Sequence, residues 1–512
     1  MARTQGARRH IDTLRPAPPQ EARPGLVLDL LARFGLQQIA YCYWKSTDKL
    51  TSALHGEGDI DLLVSRSDHA RAQAILLCAG FKFFPSAGDR EPVGVSTYLG
   101  FDESSGRLVH VHLHTHLVSG GPLTRYWHLP WEEALLARAV QHAHLPVRHL
   151  DPAAEALLLV TRCCLECGGW DPVSLRRGAA KRAEFAAARQ ALVAKVPRQE
   201  LRALAATLLP ANIAVDLADA FADGPLPDRR SPLARAIRRH LSEGGCSYNR
   251  PEAALRSVAR SVSWLVRRLN RDVIRAPRPW NRRPAAGGLV VALVGVDGSG
   301  KSTLLAELTR WLGPKVDVLP VYFGTGDGRP SLVLRPLKWL MPLATRAAGS
   351  KPRVASHGKP SAGPPSLAYS LLLTVWALAV AADKRSKLTA AWRGANRGLL
   401  VLTDRYPQNE TRSFNDGPLL ERLPAAPGWL RWLERAVYAR AERLPPHLVL
   451  KLVAAPETLA AREPTMDPLV IRRRLDALSG LAFGGADIVC LDVDRPLQQV
   501  ILQAKREIWQ RL

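Results

Sequence analysis

The stretch VALVGVDGSGKSTLLAELTR, residues 291 to 310, constrains the fold more than any other part of this 512-residue chain. It satisfies the pattern G-x-x-x-x-G-K-[ST] at Gly295, Gly300, Lys301 and Ser302. The apolar run LVVALV before it predicts a strand, and KSTLLAELTRWLG predicts a helix that ends at Gly313. A strand, glycine-rich loop and helix in this order predict a phosphate-binding loop, because loop N–H groups and the helix N-terminus point at one anion.

The side chains of this loop have separate predicted roles. We expect Lys301 to reach the β- and γ-phosphates of ATP, and the Ser302 hydroxyl to help hold Mg²⁺. ATP and Mg²⁺ are therefore the predicted cofactors. The predicted nucleotide-binding residues are Gly295, Asp297, Gly298, Ser299, Gly300, Lys301, Ser302 and Thr303.

Two further segments carry charges suited to phosphate chemistry. The run LLVLTDRYPQ places Asp404 and Arg405 at the end of a predicted buried strand, where ligands bind in open α/β sheets. Asp404 is a candidate Mg²⁺ ligand, and Arg405 is a candidate grip on an acceptor phosphate. Farther on, Arg462 and the run 472–474 are candidates for a flap that neutralises charge between two phosphates. The predicted catalytic residues are Lys301, Asp404, Arg405 and Arg462.

The order of apolar runs predicts an α/β protein with several domains. After residue 289, strand-like runs alternate with helices, which is typical of a parallel sheet buried on both faces. The predicted organisation is a disordered basic arm (1–25), a small α/β domain (26–150), a helical region (151–274), a linker (275–288) and a P-loop domain (289–512). We expect the two α/β domains to have separate cores.

Two helical segments raise the question of a surface partner. The last helix of the helical region has an apolar stripe at Leu255, Val258, Val262, Leu265 and Leu269, with arginines at 256, 260, 267, 268 and 271 off it. A solvated basic face is the favoured interpretation, and an anionic partner or membrane surface is the alternative. The uncharged run Leu367 to Ala382 has 16 residues, short of the ~20 that span a bilayer. It predicts a buried helix, with membrane contact as the alternative.

Net charge and cysteine content indicate which partners and which cellular compartment to expect. The formal net charge of +25 favours anionic partners such as nucleotides, nucleic acid or an acidic membrane. Seven cysteines without a disulfide framework favour a reducing cytoplasm. The N-terminal arm lacks the apolar core of a signal peptide, so we predict a cytoplasmic location.

The front α/β domain has its own cluster of candidate ligands. Asp59 and Asp61 lie two apart on a predicted strand, so both carboxylates can face one divalent cation. Lys45 and Ser46 precede this pair, and the pattern resembles nucleotidyltransferases of the polymerase β type. The later strand RLVHVHLHTHL offers four histidines, at 110, 112, 114 and 116, and no acid. Imidazole is a poor Mg²⁺ ligand, so a degenerate binding domain, a transferase with a softer metal and a plain strand all stay open.

The region from Leu289 to Leu512 resembles the thymidylate kinase branch of nucleoside monophosphate kinases. The motifs that carry the resemblance are GVDGSGKST, TDRYPQ, the segment with Arg462 after HLVLKLVAAPE, and the closing VDRPLQQVILQAKREIW. The resemblance implies ATP with Mg²⁺, phosphoryl transfer to a nucleoside monophosphate, and a lid whose arginines close over the transferred group. The chain departs from the family in Tyr322 to Pro330 and Pro407 to Pro418, so thymidylate itself does not carry over.

Together these observations predict an ATP-dependent kinase that acts on a nucleoside monophosphate or a similar small phosphorylated acceptor. The alternatives are a nucleotidyltransferase with a regulatory P-loop domain, and a non-catalytic ATP-binding protein recruited to a membrane-associated assembly. The predicted metal ligands are Ser302, Asp404, Asp59 and Asp61. Nucleic acid is not a required partner, while peripheral contact with an anionic membrane and a homodimer stay open.

Overall fold

The computed structural model describes residues 25–87, 90–121, 123–244, 246, 248–270, 276–324, 367–411, 417–422 and 426–512. The predicted basic arm, apart from Gly25, lies outside these residues. So do most of the stretch Tyr322 to Pro330 and part of Pro407 to Pro418. The described residues fold into mixed α/β structure with two main sheets, which confirms the predicted fold class.

The front sheet is mixed and has seven strands in the order β3-β4-β5-β2-β1-β9-β8. Its strands and a separate hairpin, β6-β7, alternate with short helices. The elements are α1 (Gly25–Leu36), β1 (Tyr41–Tyr43), α2 (Leu50–Leu54), β2 (Asp59–Val64), α3 (His69–Cys78), β3 (Lys82–Phe83), β4 (Val95–Asp102), β5 (Arg107–His114), β6 (Leu117–Ser119), β7 (Trp127–Leu129), α4 (Glu132–Ala137), β8 (Ala139–Gln141) and β9 (Arg148–Leu150).

Six helices follow in the described residues, and the first of them, α5, packs against the next four. The N-terminus of α5 is capped by Asp151 and begins with proline. Nearly every residue of α5 from Ala153 to Leu165 is buried, which makes it the core of this region. The helices are α5 (Pro152–Glu166), α6 (Pro172–Val193), α7 (Arg198–Leu208), α8 (Ala211–Ala222), α9 (Pro232–Leu241) and α10 (Arg250–Leu269).

The apolar stripe of α10 faces outward, so the predicted solvated basic face is wrong. Leu255 is 70% exposed and Val258 is 61% exposed. Two of the arginines contact the protein, since Arg260 donates to the Leu123 carbonyl at 2.6 Å and Arg256 stacks over the Tyr248 ring at 4.4 Å. Arg268 is exposed, and Arg271 lies outside the described residues. Periodicity located the stripe but could not give the direction in which it points.

The second sheet has five parallel strands in the order β11-β12-β10-β13-β14. Continuous burial of β10 and β12 agrees with the apolar runs that predicted a parallel sheet. The elements are β10 (Leu289–Gly295), α11 (Lys301–Leu312), β11 (Val318–Tyr322), α12 (Leu367–Asn396), β12 (Leu400–Asp404), α13 (Gly428–Glu442), β13 (Leu448–Val453), α14 (Pro456–Arg462), α15 (Pro468–Gly480), β14 (Asp487–Asp492) and α16 (Leu497–Arg511).

Helix α12 contains the uncharged run Leu367 to Ala382. Ala377, Val380 and Ala381 are buried, while Leu371 is 68% exposed, so the helix is buried on one face. Among the helices of the described ranges, none combines the length and the apolar character needed to cross a bilayer.

The front sheet has an apolar core of its own, but a few of its side chains also join the core of the second sheet, so the two cores are not fully separate as expected. Phe84 and Phe101 from the front sheet belong to the same buried cluster as the strands of the second sheet. Phe101 meets Trp311 edge to face at 5.3 Å, and Phe84 stacks on Trp509 at 6.1 Å between ring centroids. The predicted linker is also held in place, since Ala87 N–H donates to Asn281 O at 2.7 Å.

We expect Phe101→Ala to lower the free energy of unfolding by about 3–5 kcal/mol, because it empties a buried site between the two sheets. Urea unfolding followed by tryptophan fluorescence measures this change. Leu77→Ala, which truncates a side chain that is 54% exposed on α3, is the control and should change stability by less than about 0.5 kcal/mol. Equal stability of the two variants would contradict this shared part of the core.

Candidate functional site

The glycine-rich loop joins the end of β10 to the first residue of α11. Gly298 and Gly300 have φ values of +82° and +88°, in the left-handed region that favours glycine. A Cβ on Gly295 would lie 2.5 Å from Ser299 Oγ and 3.0 Å from Leu452 O, so this glycine is required by close approach. The Oγ of Ser299 is buried and has no hydrogen-bond partner among the described residues. Left-handed glycines directly before a helix N-terminus, with a buried hydroxyl beside them, are features that suit the binding of an anion.

Lys301 lies inside the loop rather than on its surface. Its side chain is nearly buried, and Nζ donates to the Val296 carbonyl at 2.8 Å. Its Nζ also lies 3.9 Å from Asp297. The ammonium group therefore lies where the phosphates of a nucleotide in the cradle would be bound.

The Asp297 carboxylate, in the loop, is the common partner of several cationic side chains. Its carboxylate contacts Arg405 Nη2 at 2.5 Å and Arg474 Nη1 at 2.8 Å. Burial raises the pKa of the Asp297 carboxyl, but the charges of Arg405, Lys301 and Arg474 outweigh that effect and hold its pKa below the ordinary value. These three cations come from different segments and converge on one loop carboxylate.

Asp404 ends β12 beside the loop, as its position after a buried strand predicted. Ser302 Oγ donates to Asp404 Oδ2 at 3.4 Å, and Asp404 is only 3% exposed. A hydroxyl and a carboxylate oxygen at this separation fit Mg²⁺, which prefers oxygen ligands. Arg405 follows with φ of +69°, an uncommon conformation for a residue with a side chain.

The arginines after β13 divide into those that contact the loop and those that do not. Arg462, at the end of α14, donates to Gly298 O at 3.5 Å and to Val493 O at 3.2 Å. Of the run 472–474, only Arg474 is buried and contacts the loop, while its two neighbours are exposed. Helical periodicity is the signal that identifies it, because Arg474 shares the buried face of α15 with Ile471 and Leu478.

The front domain forms a second polar cluster. Strands β2 and β5 are parallel, with Asp59 opposite His110 and Asp61 opposite His112. His110 Nδ1 lies 2.5 Å from Asp59 Oδ1, and His112 Nδ1 lies 3.2 Å from Asp61 Oδ1. His114 Nε2 also contacts Asp61 Oδ1, at 3.1 Å. The two acids and three of the histidines therefore form one cluster.

His116, the fourth predicted histidine, lies beyond the end of β5. Its Nε2 is 2.7 Å from Arg66 Nη2 on the surface, outside the cluster. The alternation along the strand could not predict this, since the strand ends at His114.

Lysines close the cluster from two sides. Lys45 Nζ lies 2.7 Å from Asp61 Oδ2, and Lys315 Nζ lies 2.5 Å from Asp59 Oδ1. Lys315 follows α11, so the far end of the P-loop helix contacts the front cluster. Arg282 Nη2, from the predicted linker, lies 3.4 Å from His112 Nε2. No local pattern could identify Lys315 or Arg282, because their contacts depend on how the sheets pack.

Burial keeps the histidines of this cluster neutral near pH 7. It lowers the pKa of His110 to about 3 and that of His112 to about 4, although the neighbouring carboxylates act in the opposite direction. For Asp61, burial raises the pKa, but Lys45 and the histidines outweigh it and hold the pKa well below its ordinary value. The cluster thus combines ionised acids with uncharged imidazoles.

A parallel sheet with a glycine-rich loop between β10 and α11 defines a P-loop α/β protein. No protein-family model matches the chain. The chain is 31% identical over 230 residues to the uncharacterized ATP-binding protein YghS of Escherichia coli (strain K12), a match that covers 92% of that protein and 43% of this chain. It is 28% identical over 225 residues to the uncharacterized ATP-binding protein YghR of the same strain, covering 86% of that protein and 43% of this chain. The chain belongs to the family of YghS, and more than half of it lies outside this match.

Proposed function

We propose that the protein is an ATP-dependent kinase that transfers the γ-phosphate to a nucleoside monophosphate or a similar small phosphorylated acceptor. The similarity to the ATP-binding proteins YghS and YghR supports ATP as the ligand of the loop. The thymidylate kinase-like motifs support the transfer of its γ-phosphate to a phosphorylated acceptor.

The observation that carries this proposal is the number of cations at one loop. Lys301, Arg405, Arg462 and Arg474 all contact loop atoms, although three of them follow later strands. Binding of ATP alone needs the cradle and its lysine, whereas transfer between two phosphorylated molecules needs further charges to offset their repulsion. The arginines that gather at Asp297 suit that second task.

Each residue has a role in this proposal. Lys301 binds the β- and γ-phosphates, and Ser302 and Asp404 hold Mg²⁺, which neutralises phosphate charge. Arg474 and Arg462 approach the loop from the segments after β13 and stabilise the charge of the group in transfer. Arg405 leaves Asp297 to bind the acceptor phosphate.

An acceptor screen tests the function directly. The full chain is incubated with ATP and Mg²⁺, and ADP formation is followed over nucleoside monophosphates, nucleosides and phosphosugars. We expect ADP release that depends on a phosphorylated acceptor. ADP release that no acceptor changes would contradict transfer, and pyrophosphate release would instead support a nucleotidyltransferase.

The variant Arg405→Ala tests whether Arg405 binds the acceptor or ATP. We expect the acceptor KM to rise about 10- to 100-fold, since a charge-assisted hydrogen bond to phosphate is worth ~1.5–3 kcal/mol, while the Kd for ATP changes little. Initial rates at saturating ATP and calorimetric ATP binding measure the two effects. Arg443→Ala, an exposed arginine at the end of α13, is the control. Equal losses for both substrates would place Arg405 on ATP instead.

A further inference from the structure

Mg²⁺ does not fit the carboxylate pair of the front domain in the way the Asp-x-Asp pattern predicts. Asp59 already contacts His110 and Lys315, and Asp61 contacts His112, His114 and Lys45. The other side chains that reach the pair carry nitrogen, which Mg²⁺ disfavours. The carboxylates act as partners of nitrogen groups in this arrangement.

The two histidine rings meet at their Nε2 atoms. His110 Nε2 lies 3.0 Å from His112 Nε2, while the Nδ1 atom of each ring faces a carboxylate. Lys315 Nζ also lies 3.1 Å from His110 Nδ1. The Nε2 atoms are therefore the two ring nitrogens that point away from the carboxylates and toward one shared position.

A metal ion bound by both Nε2 atoms fits this arrangement. Two nitrogens 3.0 Å apart, each about 2.1 Å from one ion, subtend an angle of about 90°, as in neighbouring positions of an octahedral site. Histidines that bind metals commonly donate their other N–H to a carboxylate, which orients the ring. Asp59 with His110 and Asp61 with His112 form two such pairs side by side.

We propose that His110 Nε2 and His112 Nε2 bind a divalent transition metal of the class that prefers imidazole, such as Zn²⁺ or Co²⁺, and that Asp59 and Asp61 orient these two rings. This site lies outside the P-loop and does not depend on the proposed kinase activity. Its ligand atoms differ from those that the Asp-x-Asp pattern predicts, since the acids hold the imidazoles instead of the metal.

A half-buried guanidinium with one N–H group unused by the described residues lies beside the two Nε2 atoms. Arg282 Nη2 lies 3.4 Å from His112 Nε2, and Arg282 Nε is buried without a hydrogen-bond partner among the described residues. Because Lys45 and Lys315 add further positive charge, an anion must complete the coordination. Hydroxide or a phosphate group on the metal, facing Arg282, meets that requirement.

Calorimetric titration of the tag-free, chelator-treated full chain with Co²⁺, in the presence of excess Mg²⁺, tests the site. We expect one ion per chain, loss of that binding in His110→Ala and His112→Ala, and a ~10–100-fold weaker Kd in Asp59→Asn and Asp61→Asn. His116→Ala, whose imidazole lies outside the cluster, should bind as the wild type does. Circular dichroism checks that each variant is folded.

X-ray absorption of the Co²⁺-loaded wild type counts imidazole ligands without any variant. Two imidazoles are the expected result. No bound ion in the wild type would overturn the proposal and leave a proton between the rings. It would also be overturned by an ion without imidazole ligands, or by carboxylate variants that abolish binding while the histidine variants only weaken it.

Discussion

Lys301→Ala is expected to lower kcat/KM for acceptor-dependent ADP formation about 10²- to 10³-fold, a loss of ~2.7–4 kcal/mol in transition-state stabilisation. The reason is the position of Nζ, which is buried in the loop and held by the Val296 carbonyl at 2.8 Å. An ammonium group that is already placed and shielded from water stabilises phosphate charge more than a surface charge does. Steady-state ADP formation over a range of ATP concentrations measures the loss.

Arg310→Ala is the matched control for this variant. Arg310 lies on the same helix, α11, but its side chain is 69% exposed and pairs with Glu307. We expect its turnover and thermal stability to match the wild type. If Lys301→Ala kept full turnover, with a folded chain, Lys301 would have no part in the reaction.

Arg474→Ala is expected to lower kcat by at least about 10²-fold, and Arg473→Ala to leave kcat nearly unchanged. Arg474 is buried against the loop at 2.8 Å from Asp297, whereas Arg473 is exposed on the same helix. An arginine that stabilises the charge of phosphoryl transfer contributes mainly in the transition state, so kcat falls more than ATP affinity. Single-turnover rates at saturating substrates measure this contribution.

The variant Arg474→Lys tests whether the reaction needs only the positive charge of Arg474 or also the planar shape of its guanidinium group. Lysine keeps the positive charge but lacks the planar guanidinium, so we expect only partial recovery of kcat. Thermal unfolding of all three variants controls for the packing of Arg474 against Met466 Sδ, at 4.0 Å. Equal kcat values for Arg473→Ala and Arg474→Ala would show that α15 does not bring one arginine to the reaction.

The front domain contacts the P-loop domain, so changes in the front domain can affect ATP use. Separate cores would leave ATP use unaffected by changes at Asp59 and Asp61. In the structure, Lys315 connects Asp59 to the end of α11, which begins at Lys301. Effects of Asp59→Asn on ATP use therefore need to be compared with Lys315→Ala before they are assigned to the front site.

Local patterns in the sequence determined the P-loop, the five parallel strands of the second sheet and the α/β class. They could do so because a strand, a glycine-rich turn and a helix are encoded within about 20 residues by periodicity and glycine spacing. The position of Asp404 was predicted for the same reason, as it lies at the end of a buried strand. The pairing of β2 with β5 was not needed to predict that Asp59 and Asp61 share a face.

Only the tertiary structure decided which distant charges meet. It brought Arg474 to Asp297 and Lys315 and Arg282 to the front cluster, and it turned the apolar stripe of α10 outward. These contacts join residues far apart in the chain, so they depend on strand order and on the packing of the two sheets against each other. Periodicity gives the face of an element on which a side chain lies, but the neighbour of that face is set by the fold.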